Sequence, residues 1–563
     1  MRVVHRILPT VGAMRYSAPM TERPRLMAEA VALARTPTRW APWLLAAMPA
    51  AWMLTIVWSD THLQYDDYWR ILADTSTPSG GFDLGSLLVF NNEHPVAVPN
   101  LLYWANIYLA DGSNLWLGTL AVVLVFAQLV VLSRFIPAGD RRSWAAAAFI
   151  VAASILLFSR QGSWNFTRSM SGVAWFTANL CVLGAIVLRW RGRVWPAVAL
   201  GLVASLSLTT GLLVWPVLVL VGLLVDRRWR PDWRVVGIGA AVWIWYLLSF
   251  ERASEGGFGG GDRNLPAPLE VVSQALATAG SLFTWDFRVA RLLGLVAVAT
   301  GLGLGTWALR RRSSDSTPWI GLFSFSLASL LLIAAGRLDL TFPLRNQGRY
   351  ACLAALLWIS IGGLAGSLTS WRPPLIAPTA VVAAFALTFG AAAVREDREN
   401  LPRQRDLAAA YRLDLVEGRT DVFGNPFPAI SSRLAALGHY PFSDRYDDDC
   451  GLLGERLDLG QMEVVGNDAI ESVGVDRGAV RLIATVPESR VAEVDCVLVA
   501  DQDGYVVGIG TVDVASSSGD VVTGLANAIA PPGSMSYTVV LVTDAGDQVL
   551  LDRPVEESEI DVG

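Results

Sequence analysis

Long apolar runs alternate with short polar connections over the first two thirds of the chain. The runs lie at about 41–58, 113–136, 144–159, 172–188, 194–209, 211–225, 235–250, 287–309, 317–336, 350–368 and 376–394. A bilayer-spanning helix takes about 20 apolar residues and tolerates fewer inside a bundle, so the pattern predicts about eleven spans. The arginine-bearing connections sort by parity. AGDRRSW, RWRGRVW, DRRWRPDWR, RRRSSDS and SWRPP each follow an even-numbered span. Positive charge near span ends is retained in the cytoplasm, which puts these connections on one inner face. A leader carrying Arg2, Arg6, Arg15, Arg23, Arg25, Arg35 and Arg39 joins them there. This threading makes 194–209 and 211–225 two short helices that meet at Thr209, Thr210 and Gly211. Both fall short of a comfortable span, so a broken or re-entrant helix is expected at that joint.

The polar segments then take places. Residues 1–38 form an Arg-rich cytoplasmic leader without a structured pattern, read as disordered and without a small-residue cleavage site. Within the transmembrane domain, 39–395, the segments 59–112, 160–171, 251–286 and 336–349 fall outside. An odd number of spans sends everything after about 395 to the same outer side. There, 396–458 mixes helix-like stretches with turns. Short alternating runs such as AVRLIATV, DCVLVAD, YVVGIGTVDVA and SYTVVLVTD fill 459–563 and read as strands of a small β-sandwich. The predicted fold class is a polytopic α-helical membrane protein with a C-terminal extracytoplasmic β-sandwich domain.

Composition agrees. Hydrophobic residues make up 53% of the 563 and charged ones only 17%, against about 25% in soluble domains. A net charge of −6, with no surface-wide basic excess, argues against nucleic acid as a partner. The chain has no lysine; its side-chain cations other than histidine are all arginine, which fits a GC-rich coding bias and carries no functional weight. Cys181 and Cys352 lie in apolar runs and are read as buried, inert thiols. Cys450 and Cys496 lie in the polar last third, where an extracytoplasmic setting permits a disulfide. No Cys/His spacing supports a zinc site.

Candidate chemistry concentrates in the first outer loop. LQYDDYWRIL (63–72) and VFNNEHPVAVPNLLYW (89–104) bring Asp66, Asp67, Glu93 and His94 to one face. A carboxylate beside an acceptor hydroxyl works as a general base when its surroundings tune it; the plain alternative is a solvated acidic loop. Tyr65, Tyr68, Trp69, Tyr103 and Trp104 suit the membrane interface or stack on a sugar or isoprenoid. Arg160 and Arg168 occupy one outer loop, and Arg337, Arg345 and Arg349 another. Arginine on the outer side runs against the retention rule, and an anionic substrate group gives it a reason, since the guanidinium fork binds phosphate bidentately. Pairing with Asp339, Glu93 or lipid headgroups is the plain alternative. Other strings carry less. GGFGGGDRN lacks the Lys-Ser/Thr ending of a phosphate-binding loop. Asn165-Phe166-Thr167 is a cheap match to a glycosylation site. YDDDC (446–450) fits a hydrated acidic turn better than a calcium site, and His62 and His94 stand at no ligand-like spacing.

Many spans, an acidic pair after span one and an outer C-terminal domain together resemble the GT-C superfamily of membrane glycosyltransferases, which take sugars from polyprenyl-phosphate carriers. The likeness covers about residues 40–395. The strings NNEHPVAVPNLLYW, SLSLTTGLLVWP and GRLDLTFPLRNQGRY look like those of bacterial membrane proteins with this layout. The resemblance implies a plasma-membrane enzyme that moves a sugar from a polyprenyl-phosphate-linked donor to a cell-envelope glycan, lipid or protein acceptor, with inversion. It makes Asp66 or Asp67 the base, Glu93 and His94 acceptor or metal contacts, and Arg337, Arg345 and Arg349, helped by Arg160 and Arg168, the phosphate holders. Some relatives use a divalent cation (Mg, Mn or Ca) at the acidic loop and others do not, so the metal stays open. The β-domain looks like the carbohydrate-binding domains of wall arabinosyltransferases. Alternatives are a polymerase or ligase of lipid-linked glycans, whose signature sits in a large late loop, and a non-catalytic envelope assembly or transport protein. Transporters are marked by intramembrane charge and two-half symmetry, and neither is evident here.

Overall fold

The computed structural model describes residues 40–371 apart from 60–61, 63, 65, 78, 92, 228–229, 255–266, 285 and 337–347. It further describes 438–439, and 452–556 apart from 466–469, 477–478, 487–493, 517–521, 532–533, 535, 544 and 552–553. Ten of the eleven apolar runs are helical, and the run at 376–394 lies outside the described residues, as does most of the 396–458 connector. After α1 (Ala41–Val57), the first long loop folds into α2 (Asp66–Thr75), a two-residue hairpin of β1 (Phe90–Asn91) and β2 (His94–Pro95), and α3 (Ala97–Ala110). The bundle continues with α4 (Asn114–Ser133), α5 (Trp144–Leu157), the short α6 (Trp164–Thr167) and α7 (Ser169–Trp190). Then come α8 (Val194–Ser205), α9 (Val214–Asp226), α10 (Trp233–Ser254), α11 (Pro268–Gly280), α12 (Phe287–Arg311), α13 (Thr317–Gly336) and α14 (Ala351–Leu368).

Among the described residues seven helices, not eleven, are long and apolar enough to cross a bilayer. Two of them include leading 3₁₀ turns of functional interest, Thr209–Leu213 before α9 and Gly348–Tyr350 before α14. An eighth candidate pairs α5 with residues 160–167 across a 40° bend, while α1 and α8 are apolar but short. The shortfall has a local cause. Polar residues at Ser159–Arg160–Gln161 and Ser205–Ser207 stop α5 and α8 before they complete a span.

Helix ends sort as the arginine parity predicts. Arg191 Nη2 donates to Arg134 O (3.4 Å), Trp190 Nε1 to Ser314 O (3.1 Å) and Arg227 Nη2 to Arg312 O (3.2 Å). The loops after the second, fourth, sixth and eighth runs thus meet at one end of the bundle. Segment 251–286, expected as an outer loop, contains a helix of its own. Within it, α11 lies antiparallel along α12, so close that a Cβ at Gly280 would stand 1.9 Å from Ala290 O and one at Gly294 1.9 Å from Leu276 O. Small residues let membrane helices approach in this way, because packing replaces the hydrophobic drive that lipid cannot supply.

The C-terminal strands form one hydrogen-bonded sheet, not the closed sandwich expected. They are β3 (Glu463–Val464), β4 (Ile470–Asp476), β5 (Ala479–Val486), β6 (Val494–Asp501), β7 (Val506–Ser516), β8 (Val522–Ala530), β9 (Ser536–Thr543), β10 (Gln548–Leu550) and β11 (Val555–Glu556). Their order is β3-β10-β9-β6-β7-β8-β5-β4, with β11 also on β9. Long β7 explains the continuity: its first residues pair with β6 and the rest with β8, so no break separates two sheets. Period-two alternation sends Val497 and Val499 to one apolar cluster and Cys496 and Leu498 to another, which residues Leu452, Leu453, Leu459 and Met462 cover.

Gly294→Val is expected to force α11 from α12 and cost about 1–3 kcal/mol, the range for overpacking. The check is the thermal unfolding midpoint in detergent, and an unchanged midpoint contradicts the close approach.

Candidate functional site

At the bundle end opposite the arginine loops, two constellations assemble. The first starts at the β1–β2 hairpin, which turns through Glu93 so that His94 leaves toward the joint between α8 and α9. His94 Nδ1 lies 2.8 Å from Thr209 Oγ1, and His94 Nε2 lies 3.4 Å from Glu93 Oε1. Thr209 Oγ1 donates to Glu93 O (2.5 Å) and Tyr246 Oη donates to the same carbonyl (3.1 Å). With the Thr209 proton engaged on a carbonyl, its oxygen accepts from Nδ1–H. That leaves Nε2 turned toward the Glu93 carboxylate, an ion pair when the ring is protonated. The His94 and Glu93 side chains are 22% and 32% exposed, a partly sheltered carboxylate–imidazole pair that solvent reaches. Backbone bonding holds the joint in place, since Val98 N donates to Leu206 O (3.1 Å).

Beside it runs an apolar cavity of about 370 Å³ between α8 and α10, lined by Leu202, Ser205, Leu206, Ile238, Ala241, Val242 and Trp245. Phe90 of the hairpin packs on Trp245 and Tyr246, with both ring pairs at 5.7 Å. The carboxylate–imidazole pair and the apolar cavity therefore flank the same aromatic wall.

The second constellation is the arginine segment. Residues 160–168 and 348–350 abut: Asn165 Nδ2 donates to Arg349 O (2.9 Å), and a Cβ on Gly348 would stand 2.5 Å from Gln161 O. Arg160, Arg168 and Arg349 thus share one locality although 181 positions separate Arg168 from Arg349 (349 − 168). Arg160 lies over the Trp52 ring at 4.8 Å, Arg168 over Trp164 at 3.2 Å and Arg349 over Tyr350 at 5.3 Å. Guanidinium planes held over aromatic faces keep their edges turned outward for hydrogen bonding.

Asn114 ties this segment to the acidic one. Its N–H donates to His62 O (2.9 Å), its Nδ2 to Thr167 O (2.6 Å), and its Oδ1 accepts from Ser169 N (3.2 Å). One residue, through its backbone N–H and its side-chain amide, therefore spans the stretch four residues before Asp66 and the residue before Arg168. Asp66 and Asp67 form the first turn of α2; their side chains, and that of Trp69, lie outside what is described, as do Tyr65, Arg337 and Arg345 altogether.

Tyr68 and Tyr103, expected to stack on substrate, are core residues with no exposed ring face. Their rings meet edge to face at 5.6 Å, and Tyr103 Oη donates to Met170 O (2.8 Å). Tyr68 has a second partner that no sequence pattern announced. His439, from the distant connector, is buried against it, with Nε2 3.2 Å from Tyr68 Oη. Burial pushes the Tyr68 phenol well above its ordinary range, so it stays a neutral hydroxyl. Cys496 is disulfide-bonded while Cys181 and Cys352 are free. Cys450 lies outside the described residues and is the one cysteine left as partner. Among the described residues no group of three or more His, Cys, Asp or Glu gathers as for a metal ion.

The chain matches no family model and no curated protein.

His439 seats over Gly112, whose φ of +70° favours glycine and whose Cβ, if present, would stand within 2 Å of the imidazole. Gly112→Ala is therefore expected to unseat His439. Limited proteolysis of the intact protein should then cleave the 396–458 region faster than in wild type; equal rates contradict the seat.

Proposed function

We propose that this protein is an integral membrane glycosyltransferase that moves a sugar from a polyprenyl-phosphate donor to a cell-envelope glycan, lipid or protein acceptor. The single observation that carries the reading is the Asn114 bridge, which hydrogen-bonds His62 O, four residues before Asp66, and Thr167 O, next to Arg168. A site for this reaction needs a base for the acceptor hydroxyl next to cations for the leaving phosphate. The apolar cavity beside Glu93 and His94 adds room for part of an isoprenoid chain. Together they suit an amphiphilic, anionic donor.

In the reaction, Asp66 or Asp67 takes the acceptor hydroxyl proton as its oxygen bonds the anomeric carbon. The bond from that carbon to the phosphate oxygen breaks on the opposite face, and its electron pair leaves with polyprenyl phosphate, giving inversion. Arg349, with Arg160 and Arg168 and the undescribed Arg337 and Arg345, steadies the charge gathering on the phosphate. Glu93 and His94 orient the acceptor or a divalent ion at the loop. In this reading the site faces away from the cytosol of a bacterial cell, the N-terminus lies inside and the β-domain outside.

Asp66→Asn and Asp67→Asn are made singly in nanodisc-reconstituted protein and assayed with a radiolabelled lipid-phosphate sugar. Loss of the base is expected to lower kcat about 10²–10⁴-fold in one of them; full activity in both removes the mechanism. Arg349→Ala is expected to raise the donor KM about ten-fold, the effect of losing one charged hydrogen bond, and unchanged donor dependence removes its role. For sidedness, a cysteine at Ser254 should react with a membrane-impermeant maleimide on intact cells; labelling only after lysis reverses the orientation.

A further inference from the structure

We propose that the bundle contains an interior site, a layer of uncharged polar side chains below the joint of α8 and α9, that binds ordered water. Helix register places the layer. At Gly321 three helices touch: a Cβ there would stand 2.7 Å from Val221 Cγ2 and 3.6 Å from both Ile186 Cγ2 and Val217 Cγ1. The Trp190–Ser314 and Arg227–Arg312 bonds show that α7 and α9 run antiparallel to α13. Two turns from that contact, about 10 Å at 1.5 Å per residue, α7 presents Asn179. At the same level α13 presents position 328, flanked by Ser326 and Ser329, and α9 gives way to the 3₁₀ turn that holds Thr210. From α14, packed on α13 where Gly363 meets the Trp319 ring, Cys352 comes level and interacts with the Asn179 amide.

Helices α7 and α13 and the 3₁₀ turn thus bring Asn179, Thr210, Ser326 and Ser329 to one level. Apart from the contact of the Cys352 thiol with the Asn179 amide, their side-chain polar atoms have no hydrogen-bond partner among the described residues, and the four side chains are 0–2% exposed. Unpaired polar groups at membrane depth are costly, and native proteins meet them with a guest.

The chemistry of the set selects the guest. Amide, hydroxyls and thiol are all uncharged and leave both donors and acceptors open. Among the described residues a bare cation finds no counter-charge in the set and would leave Asn179 Nδ2 unmet, and an anion finds no guanidinium in it. Water donates and accepts, and asks for about two to four partners. Adjacent threonines divide the work: Thr209 turns to His94 and Glu93, and Thr210 turns to the layer. Hydration then reaches within one residue of the candidate site and solvates the joint where the helix unwinds. The inference stands apart from the proposed transfer reaction.

The test is hydroxyl-radical labelling by X-ray radiolysis of the whole protein in nanodiscs, with Cys352 as reporter. Radiolysis of a bound water modifies the side chain beside it, whereas N-ethylmaleimide must diffuse in from bulk. The expected result is at least five-fold faster radiolytic oxidation of Cys352 in wild type than in the Ser326→Ala/Ser329→Ala variant, with no maleimide labelling in either. Unmodified Cys352 in wild type overturns the proposal whatever the variant does. A higher unfolding midpoint in that variant also overturns it, because removing unpaired hydroxyls from a dry core stabilises. So does a rise of several degrees in the wild-type midpoint on adding sodium or potassium at fixed ionic strength, which would assign the layer to a cation.

Discussion

Hydrocarbon offers no hydrogen bonds, so a membrane helix can unwind only where protein meets the freed backbone. That constraint organises the candidate site. Between α8 and α9 the chain leaves the helix, and the hairpin of the first loop and the start of α3 meet it there: Leu206 O accepts from Val98 N–H, and Thr209 Oγ1 donates to Glu93 O. Tyr246 sends a second hydroxyl to that carbonyl from α10. The break therefore holds the hairpin as much as the hairpin holds the break. Glu93 and His94 are held in position by the two hydroxyls that Glu93 O accepts and by the backbone bond of Val98 beyond them.

Asn114 does the same for the other constellation. A polar side chain at the start of an apolar helix is costly unless saturated, and Asn114 is 1% exposed with its amide nitrogen and oxygen both engaged. Its partners belong to segments that no local sequence preference would bring together. Ser169 Oγ closes the knot by donating to Asn114 O (3.0 Å). Rigid support of this kind is what a site needs when its charged groups come from loops.

The helices and the shared face of the arginine loops were legible in the sequence because hydropathy and charge are properties of single segments. The joint at Thr209 was legible too, as a break between two runs, although the second, with its leading 3₁₀ turn, is long enough to span. What escaped depends on pairing between segments. Nothing near His439 announces a partner at Tyr68, and Tyr103 reads as an interfacial aromatic until its hydroxyl finds Met170 O. α11 was missed because PLEVVSQALATAG is too short and too polar for a span, and its place depends on Gly294 of the next helix. Alternation identified the strands but not the sheet: β7 reads alike whether its two halves pair with neighbours in one sheet or in two.

Three histidines of the described chain lie at the same bundle end, and each meets a hydroxyl: His62 Nδ1 with Ser113 Oγ (2.8 Å), His94 with Thr209, His439 with Tyr68. Burial separates their roles. His439, 1% exposed beside a neutral phenol, is held where a charged imidazole would be costly, so it suits fastening the connector. His94 keeps 22% of its side chain exposed and has a carboxylate 3.4 Å from its second nitrogen. The same side chain is thus a buried peg in one place and a solvent-reachable neighbour of a carboxylate in another, and the packing around each decides which.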